Sequence, residues 1–209
     1  MTENDRLTEE KIFEAATAVF EEKGLDGARM QDIADRAGIN KALLHYYFRS
    51  KEKLFLAVFD NLAEILFSKF AGIFQQDMPF DEKMKYFFLE HMTFLQQNPK
   101  LPIFILTEVS RNPELVDKFL AKIDLNSIKT RMSEDPANTM PPKMFPHLMI
   151  SIVSLSVMPI AARPIIEKVL ETAGYNFDEF YEERKYLAPE FIINAVRQFK
   201  SETDNNTTT

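Results

Sequence analysis

The most constraining feature of this sequence is a pair of short amphipathic helix patterns separated by a tight turn at Gly38. The first pattern covers residues 30–37 and the second covers residues 41–47, with Leu44 facing inward. Gly38 can adopt the left-handed backbone conformation that such a turn needs, and Asn40 can cap the helix that follows. These lengths predict a helix-turn-helix, although an ordinary helical hairpin with a solvated face has the same spacing.

Positive charge is concentrated in the same segment. The whole chain has a formal net charge of −7, but residues 28–53 contain six basic and only three acidic side chains. A local basic patch on an acidic protein is typical of nucleic-acid binding, and a mixed solvated surface is the alternative. The basic residues of this segment are Arg29, Arg36, Lys41, Arg49, Lys51 and Lys53.

The rest of the sequence predicts helices and shows no strand alternation, so the expected fold class is all-α. A first helix extends from Thr8 to Gly24, and a fourth begins at Ser50, whose side chain can accept a hydrogen bond from a backbone N–H near Lys53. Kinks or breaks are expected at Pro159 and Pro164. Further helices are predicted over residues 81–95, 103–110, 113–131, 142–173 and 178–200, with a proline-rich loop at 133–142.

The composition argues against several other classes of protein. There is no cysteine, and His45, His91 and His147 are far apart in sequence, so no metal site is predicted. The chain lacks a glycine-rich phosphate loop and a nucleophile elbow, so we expect neither an enzyme nor a cofactor. Residues 1–7 are polar, and the apolar stretch 149–158 is too short to span a bilayer. We therefore expect a cytoplasmic protein without a membrane partner.

A dense, ordered motif extends through the first quarter of the chain. Ala16, Phe20 and Gly24 are spaced four residues apart, and they are followed by Gln31-Asp32-Ile33-Ala34-Asp35-Arg36-Ala37-Gly38-Ile39-Asn40-Lys41, by Leu44, Tyr46, Tyr47 and Phe48, and by Ser50-Lys51-Glu52-Lys53-Leu54. This pattern, over about residues 8–55, resembles the TetR/AcrR family of transcriptional repressors. The resemblance implies an N-terminal three-helix helix-turn-helix DNA-binding domain, residues 1–53. A larger helical ligand-binding and dimerisation domain, residues 54–200, would follow, and residues 201–209 are expected to form a disordered tail.

The resemblance also implies roles in DNA binding for individual residues. Gln31 matches a position that reaches base edges, and Tyr47 and Lys51 match phosphate contacts. The recognition-helix face corresponds to Lys41, Ala42, Leu43, His45 and Tyr46.

This sequence departs from the family pattern at three places in the motif. Arg29 replaces a capping Ser or Thr and could reach phosphate. Ala42-Leu43 replaces a common Gly-Thr pair, and His45-Tyr46 reverses the commoner order. These departures suggest a non-consensus operator preference.

In family members the larger domain holds an effector pocket, which is typically apolar with a few polar groups. One segment of this chain fits the wall of such a pocket, although packing in the core is the more common role of any given aromatic side chain there. Its candidate residues are Phe87, Phe88, His91, Met92 and Phe94, with Phe104, Glu108 and Met149 as further candidates. The last two long helices match those that form the family's dimer.

The function implied is that of a ligand-responsive, homodimeric DNA-binding transcriptional regulator. Its partners would be a palindromic double-stranded DNA operator and a small, largely apolar effector that releases the repressor. Two alternatives remain open at this point. One is a small-molecule-binding helical protein whose helix-turn-helix is degenerate, which the departures at Arg29, Ala42 and Leu43 would favour. The other is an enzyme, which turnover of a bound ligand would reveal.

Overall fold

The computed structural model of the protein describes residues 3–121, 124–134 and 142–207. Those residues are folded almost entirely into α-helices and contain no strand, which confirms the predicted all-α class. A 3-10 turn at Pro142–Met144 precedes the ninth helix. The helices are α1 Glu3–Gly27, α2 Met30–Ala37, α3 Lys41–Tyr47, α4 Lys51–Gln75, α5 Phe80–Gln97, α6 Leu101–Arg111, α7 Glu114–Leu120, α8 Leu125–Glu134, α9 Phe145–Ala161, α10 Arg163–Thr172 and α11 Phe177–Thr207.

Contacts divide the chain into two units, and the division does not follow sequence order. The first unit combines Met1–Phe67 with Ile103–Lys122, and the second combines Ser68–Pro102 with Ile123–Thr209. Most of α6 and all of α7 therefore belong with the N-terminal helices. The helix α4 contributes residues to both units.

The first unit is built around the apolar faces of α1 to α4. Ile12, Phe20, Ile33 and Leu44 are fully buried. Phe55 of α4 packs edge-on against Phe20, with ring centroids 5.2 Å apart. On the α6 side, the same Phe55 ring lies 5.9 Å from the ring of Phe104. The N-terminal helices thus share one aromatic core with α6.

The second unit is built mainly from α5, α9 and α11, and it contains buried polar groups among its apolar residues. The Tyr181 hydroxyl donates to the Met92 carbonyl oxygen at 2.9 Å, and burial raises the pKa of this phenol. Lys185 is only 5 % exposed, and its ammonium donates to Gln96 Oε1 at 2.9 Å and to Glu182 Oε1 at 2.7 Å. Partners on α5 and α11 therefore satisfy this buried charge.

Two predicted helices are interrupted. The stretch 113–131 is not one helix: α7 ends at Leu120 and α8 begins at Leu125. The side chain of Asp124 accepts from the backbone N–H of Ser127 at 2.9 Å, which is the geometry of a helix N-cap. The stretch 142–173 breaks at Ala162, and Pro164 lies in the first turn of α10 as expected, whereas Pro159 is accommodated inside α9.

The predicted ends of the last segments fall partly outside the described residues. Residues 135–141 of the predicted loop and residues 208–209 of the predicted tail are outside the described residues. The helix α11 continues to Thr207, through most of the segment that the sequence predicts to be disordered. Within the described residues no single helix is long and apolar enough to cross a bilayer. By length and composition, α9 and α10 meet that test only as a pair, across a bend of 79°.

Candidate nucleic-acid interface

The turn between α2 and α3 has the geometry that its sequence predicts. Gly38 adopts φ 67° and ψ 29°, in the left-handed region. The N–H of Ile39 donates to the Ala34 carbonyl oxygen at 3.0 Å, and the N–H of Gly38 donates to that of Asp35 at 3.2 Å. These two bonds form the usual glycine-terminated helix end and fix the direction in which α3 starts.

The helix α3 is held by one cap and one buried residue, which leaves its other face at the surface. The Asn40 side chain accepts from the N–H of Leu43 at 2.7 Å, as predicted for an N-cap. Leu44 is fully buried, and the following Phe48 packs edge-on against Phe13 at 5.7 Å. The recognition-face candidates Lys41, Ala42, His45 and Tyr46 are exposed, whereas Leu43 and Tyr47 are half-buried.

Tyr46 is the most outward-pointing large side chain of α3. It is 80 % exposed, although an apolar ring normally gains from burial. Its ring packs edge-on against Tyr47, with centroids 5.5 Å apart, which fixes its direction. An exposed, oriented aromatic with a hydroxyl group can contact either a phosphate or a base edge.

The candidate residues of α2 have a hydrogen-bonded arrangement that the sequence did not reveal. Gln31 Nε2 donates to Asp35 Oδ1 at 2.7 Å on the exposed face of the helix. This bond leaves Gln31 Oε1 and the second N–H of the amide available to another partner. Arg29 occupies the N-cap position of α2 without a side-chain capping bond, so its guanidinium is not used to start the helix.

Ion pairs neutralise some charges near this surface and leave others available. Arg36 pairs with Glu22 at 2.9 Å, and Lys23 pairs with Asp32 at 2.5 Å. The hydrogen bond from Lys23 lowers the pKa of the Asp32 carboxyl. In the described part of the chain no ion pair involves Lys41, Arg49 or Lys53.

The start of α4 brings a further cation to the same segment. The Ser50 hydroxyl accepts from the N–H of Lys53 at 3.2 Å, which confirms the predicted cap. Lys51 lies in the first turn of α4, where the unpaired amides and the helix dipole favour an anion. Its ammonium donates to the neutral carbonyl oxygen of Asp26 at 3.3 Å.

The structure separates the effector-pocket candidates into two groups. Phe87, Phe88, His91 and Met92 are buried on α5, Phe94 is half-buried there, and Met149 is half-buried on α9, all in the second unit. The other two candidates, Phe104 and Glu108, are buried on α6 in the first unit. Six of the eight candidates thus belong to the second unit and two to the first.

His91 is a neutral member of the α5 cluster. Its ring stacks on Phe87 with centroids 5.0 Å apart, and burial lowers its pKa to about 4. A neutral imidazole among aromatic rings is compatible with packing and with hydrogen bonding to a bound molecule.

These features define a helix-turn-helix protein. The capped surface helix α3 follows a left-handed glycine turn and carries an outward polar face. The nearby Lys41, Arg49 and Lys53 form no ion pair among the described residues. Comparison with known proteins gives the family. The model described as "Bacterial regulatory proteins, tetR family" matches residues 12–58. Residues 12–58, which include the helix-turn-helix, are therefore a TetR-family regulatory region.

Individual relatives agree with this assignment. The protein named "Probable HTH-type transcriptional regulator YttP", from Bacillus subtilis, is 23 % identical over 85 % of this chain and 90 % of its own length. The repressor NicS of Pseudomonas putida is 40 % identical, but over only 26 % of each chain. The crystal structure of FadR from Bacillus subtilis, in complex with stearoyl-CoA, shares the fold with a TM-score of 0.61 and 18 % identity, over 85 % of this chain and 96 % of that one.

Proposed function

We propose that this regulator is a homodimeric repressor that binds a palindromic operator and is released by a small, largely apolar effector. The observation that carries the proposal is the outward face of α3. Lys41 and Tyr46 are exposed while Leu44 beneath them is buried, so the helix can enter a major groove without unpacking.

The cations around α3 support a phosphate-binding role. Arg49 and Lys53 form no ion pair within the described residues, and Lys51 is bonded only to a neutral carbonyl oxygen. Arg29 extends the same surface from the start of α2. The net charge of −7 is no obstacle, because attraction to DNA depends on the local field at the docking face.

The apolar faces of α9 and α11 support dimerisation. Some residues at helical spacing on these helices, such as Ile152 and Ile192, are buried in the unit's own core. Others remain outside, and contiguous exposed apolar side chains typically mark an interface. The exposed group consists of Ile150, Val153 and Met158 on α9 and of Tyr186, Leu187, Phe191 and Phe199 on α11. A second copy of the chain would cover both helices and place two α3 helices on one duplex.

The interior of the second unit supports an effector with a substantial apolar part. Phe87, Phe88 and Met92 line α5 with aromatic and thioether groups, and His91 adds one neutral polar group. FadR, which shares the fold, is in complex with stearoyl-CoA, a ligand with a long apolar chain. Binding would shift the population toward a state whose α3 helices no longer match successive major grooves.

Selection of bound duplexes from a random pool, with the full chain as bait, tests the proposal. We expect enrichment of an inverted repeat, with half-sites about 10 base pairs apart or a multiple of that spacing. Lys41→Ala should weaken binding to the enriched duplex, while the matched control Lys168→Ala, an exposed lysine of the second unit, should not. No enrichment, or enrichment that survives Lys41→Ala unchanged, would refute DNA reading by α3.

Two further measurements test the dimer and the effector. Sedimentation velocity should show a dimer that Phe191→Asp dissociates, because a charge on that face opposes burial. A screen of apolar carboxylates and their thioesters against the protein–duplex complex should find compounds that release the DNA. A monomer that still binds the inverted repeat with full affinity would contradict the dimer.

A further inference from the structure

Glu108 is a buried carboxylate that the proposed DNA contacts and effector pocket do not use. It lies on α6 in the first unit and is only 1 % exposed. Its Oε1 atom is 3.4 Å from the backbone nitrogen of Leu25 and 3.9 Å from Arg111 Nη1. Its Oε2 atom has no hydrogen-bond partner among the described residues. A buried charge costs free energy, so a residue that only filled space here would be better as a hydrophobe.

The backbone amide that Glu108 contacts is at a break in α1. Gly24 adopts φ 66° and ψ 178°, which is not helical. The chain then resumes one helical turn, because the N–H of Ala28 donates to the Gly24 carbonyl oxygen at 3.2 Å. The first amides of such a turn have no partner within it. A Ser, Thr, Asp or Asn at the capping position normally supplies an acceptor, but Gly24 has no side chain.

The structure shows that Glu108 supplies this acceptor from a distant part of the chain. The carboxylate reaches the N–H of Leu25, at the end of the turn where the peptide dipoles favour a negative charge. Eighty-three residues separate the two groups in sequence. Glu108 therefore acts as a helix cap that is provided by another helix.

Gly24 is what allows α6 to approach so closely. A Cβ atom at this position would lie 3.2 Å from Glu108 Oε1 and 3.3 Å from Arg111 Nη1, both tighter than ordinary contacts. The positive φ also disfavours any side chain there. The lack of space for a Cβ atom and the positive φ thus both favour glycine at the point where the α1 break contacts α6.

The capped turn leads directly into the DNA-reading helices. Ala28 is buried at its end, Arg29 follows in the N-cap position of α2, and α2 begins at Met30. On the other side, Lys51 of α4 donates to the Asp26 carbonyl oxygen at 3.3 Å. The turn is thus held by α6 through Glu108 and by α4 through Lys51.

We infer that Glu108 is a positioning residue, which caps the turn at residues 25–28 and thereby ties the orientation of α2 and α3 to α6. This inference rests on the proposed DNA-binding function. A movement of α6 that withdraws the carboxylate removes the cap, and the turn from which α2 starts is then released.

Glu108→Leu is the decisive variant, because it removes the acceptor without leaving a cavity. Leucine ends the cost of burying a charge, whereas the Leu25 N–H loses its acceptor and Arg111 loses its partner. These two effects oppose each other, so the melting temperature should change little. Amide hydrogen exchange at Leu25, measured by NMR on the full chain without DNA, should become about tenfold faster. Affinity for the pool-selected duplex should fall. A merely structural role would not combine unchanged stability with lost binding.

Three control variants separate the cap from the charge and from direct DNA contact. Glu108→Gln keeps an oxygen acceptor at the same place and should retain both the slow exchange of Leu25 and most of the affinity. Arg111→Ala removes the neighbouring cation but not the acceptor, so it should also leave Leu25 protected. Lys41→Ala should weaken DNA binding with no change in exchange at Leu25.

The outcomes distinguish the inference from the function on which it rests. Unchanged exchange at Leu25 in Glu108→Leu overturns the cap. Faster exchange with undiminished DNA affinity overturns the link to α2 and α3. If the parent chain selects no duplex at all, the proposed function fails, while the exchange data still decide whether Glu108 caps the turn.

Discussion

Replacing Gly38 by alanine should destabilise the protein and weaken operator binding by amounts that the local geometry sets. Gly38 has φ 67° and ψ 29°, and a Cβ atom built there meets nothing within 4 Å. The cost is therefore backbone strain alone, about 1–2 kcal/mol for an L-residue in this region. In a chain of this size that corresponds to a fall in melting temperature of roughly 2–8 °C.

The effect on DNA binding follows from the position of the turn. Strain at Gly38 can be relieved by shifting the bonds from Ile39 to Ala34 and from Gly38 to Asp35, which would tilt α3. We therefore expect Gly38→Ala to lose more operator affinity than its loss of stability would explain. Gly38→Asn, with a side chain that tolerates the left-handed region, should recover part of both.

Gly174 provides a matched control in the second unit. It also has a positive φ, of 84°, with open space around the position of a Cβ atom. Gly174→Ala should lower the melting temperature by a similar amount but leave operator affinity unchanged. Thermal melting followed by circular dichroism and fluorescence anisotropy on the selected duplex measure the two quantities. If Gly38→Ala melts with the parent chain, or if Gly174→Ala loses the same affinity, the reasoning is refuted.

Three further changes test other parts of the site. Lys51→Ala should weaken the salt dependence of DNA binding. The plot of the logarithm of the association constant against the logarithm of the salt concentration should become shallower by about 0.9 for each phosphate that is no longer neutralised. Asp35→Ala should free the Gln31 amide and relax discrimination at one base pair of each half-site by up to about tenfold, as read from selected sequences. Because burial holds the pKa of His91 near 4, below the value of about 6.5 in the unfolded chain, stability should fall as pH drops from 6.5 towards 4. The free energy of unfolding in urea should therefore fall by about 2 kcal/mol between pH 7 and pH 5 because of His91, and His91→Phe should abolish this part of the fall.

Each of these tests has a result that would count against it. An unchanged salt slope in Lys51→Ala, beside an unchanged Lys168→Ala control, would mean that Lys51 contacts no phosphate. Asp35→Asn keeps an acceptor and should preserve discrimination, so a loss equal to that in Asp35→Ala would point to charge as the cause. Equal pH dependence in the parent chain and in His91→Phe would show that another group titrates.

The helix-turn-helix was predictable because its signals are local. Gly38, the Asn40 cap and the Ser50 cap each act within about four residues, and the structure contains all three. The inward position of Leu44 follows from helical spacing in the same way. The Asp124 cap that precedes α8 is also a local signal, and the prediction of one helix over residues 113–131 missed it.

The partners of the other helices could not be predicted in this way. Lys185 has the sequence context of a surface cation, yet it is buried because Gln96 and Glu182 provide acceptors at its side. Phe104 packs against Phe55 and Phe59, and Glu108 lies beside Leu25, contacts that their helical spacing does not specify. Periodicity tells which face of a helix is apolar, and it contains no information about what covers that face.

The all-α class, the TetR-family region and the helix-turn-helix can all be recognised in the amino-acid sequence, since turns, caps and helical spacing are properties of neighbouring residues. The folded structure was needed to show that α6 packs with the N-terminal helices and that its Glu108 caps a turn 83 residues away. The contact between α6 and the turn depends on how close two distant segments come in space. Gly24 permits this approach because it has no side chain, but it does not specify which segment approaches.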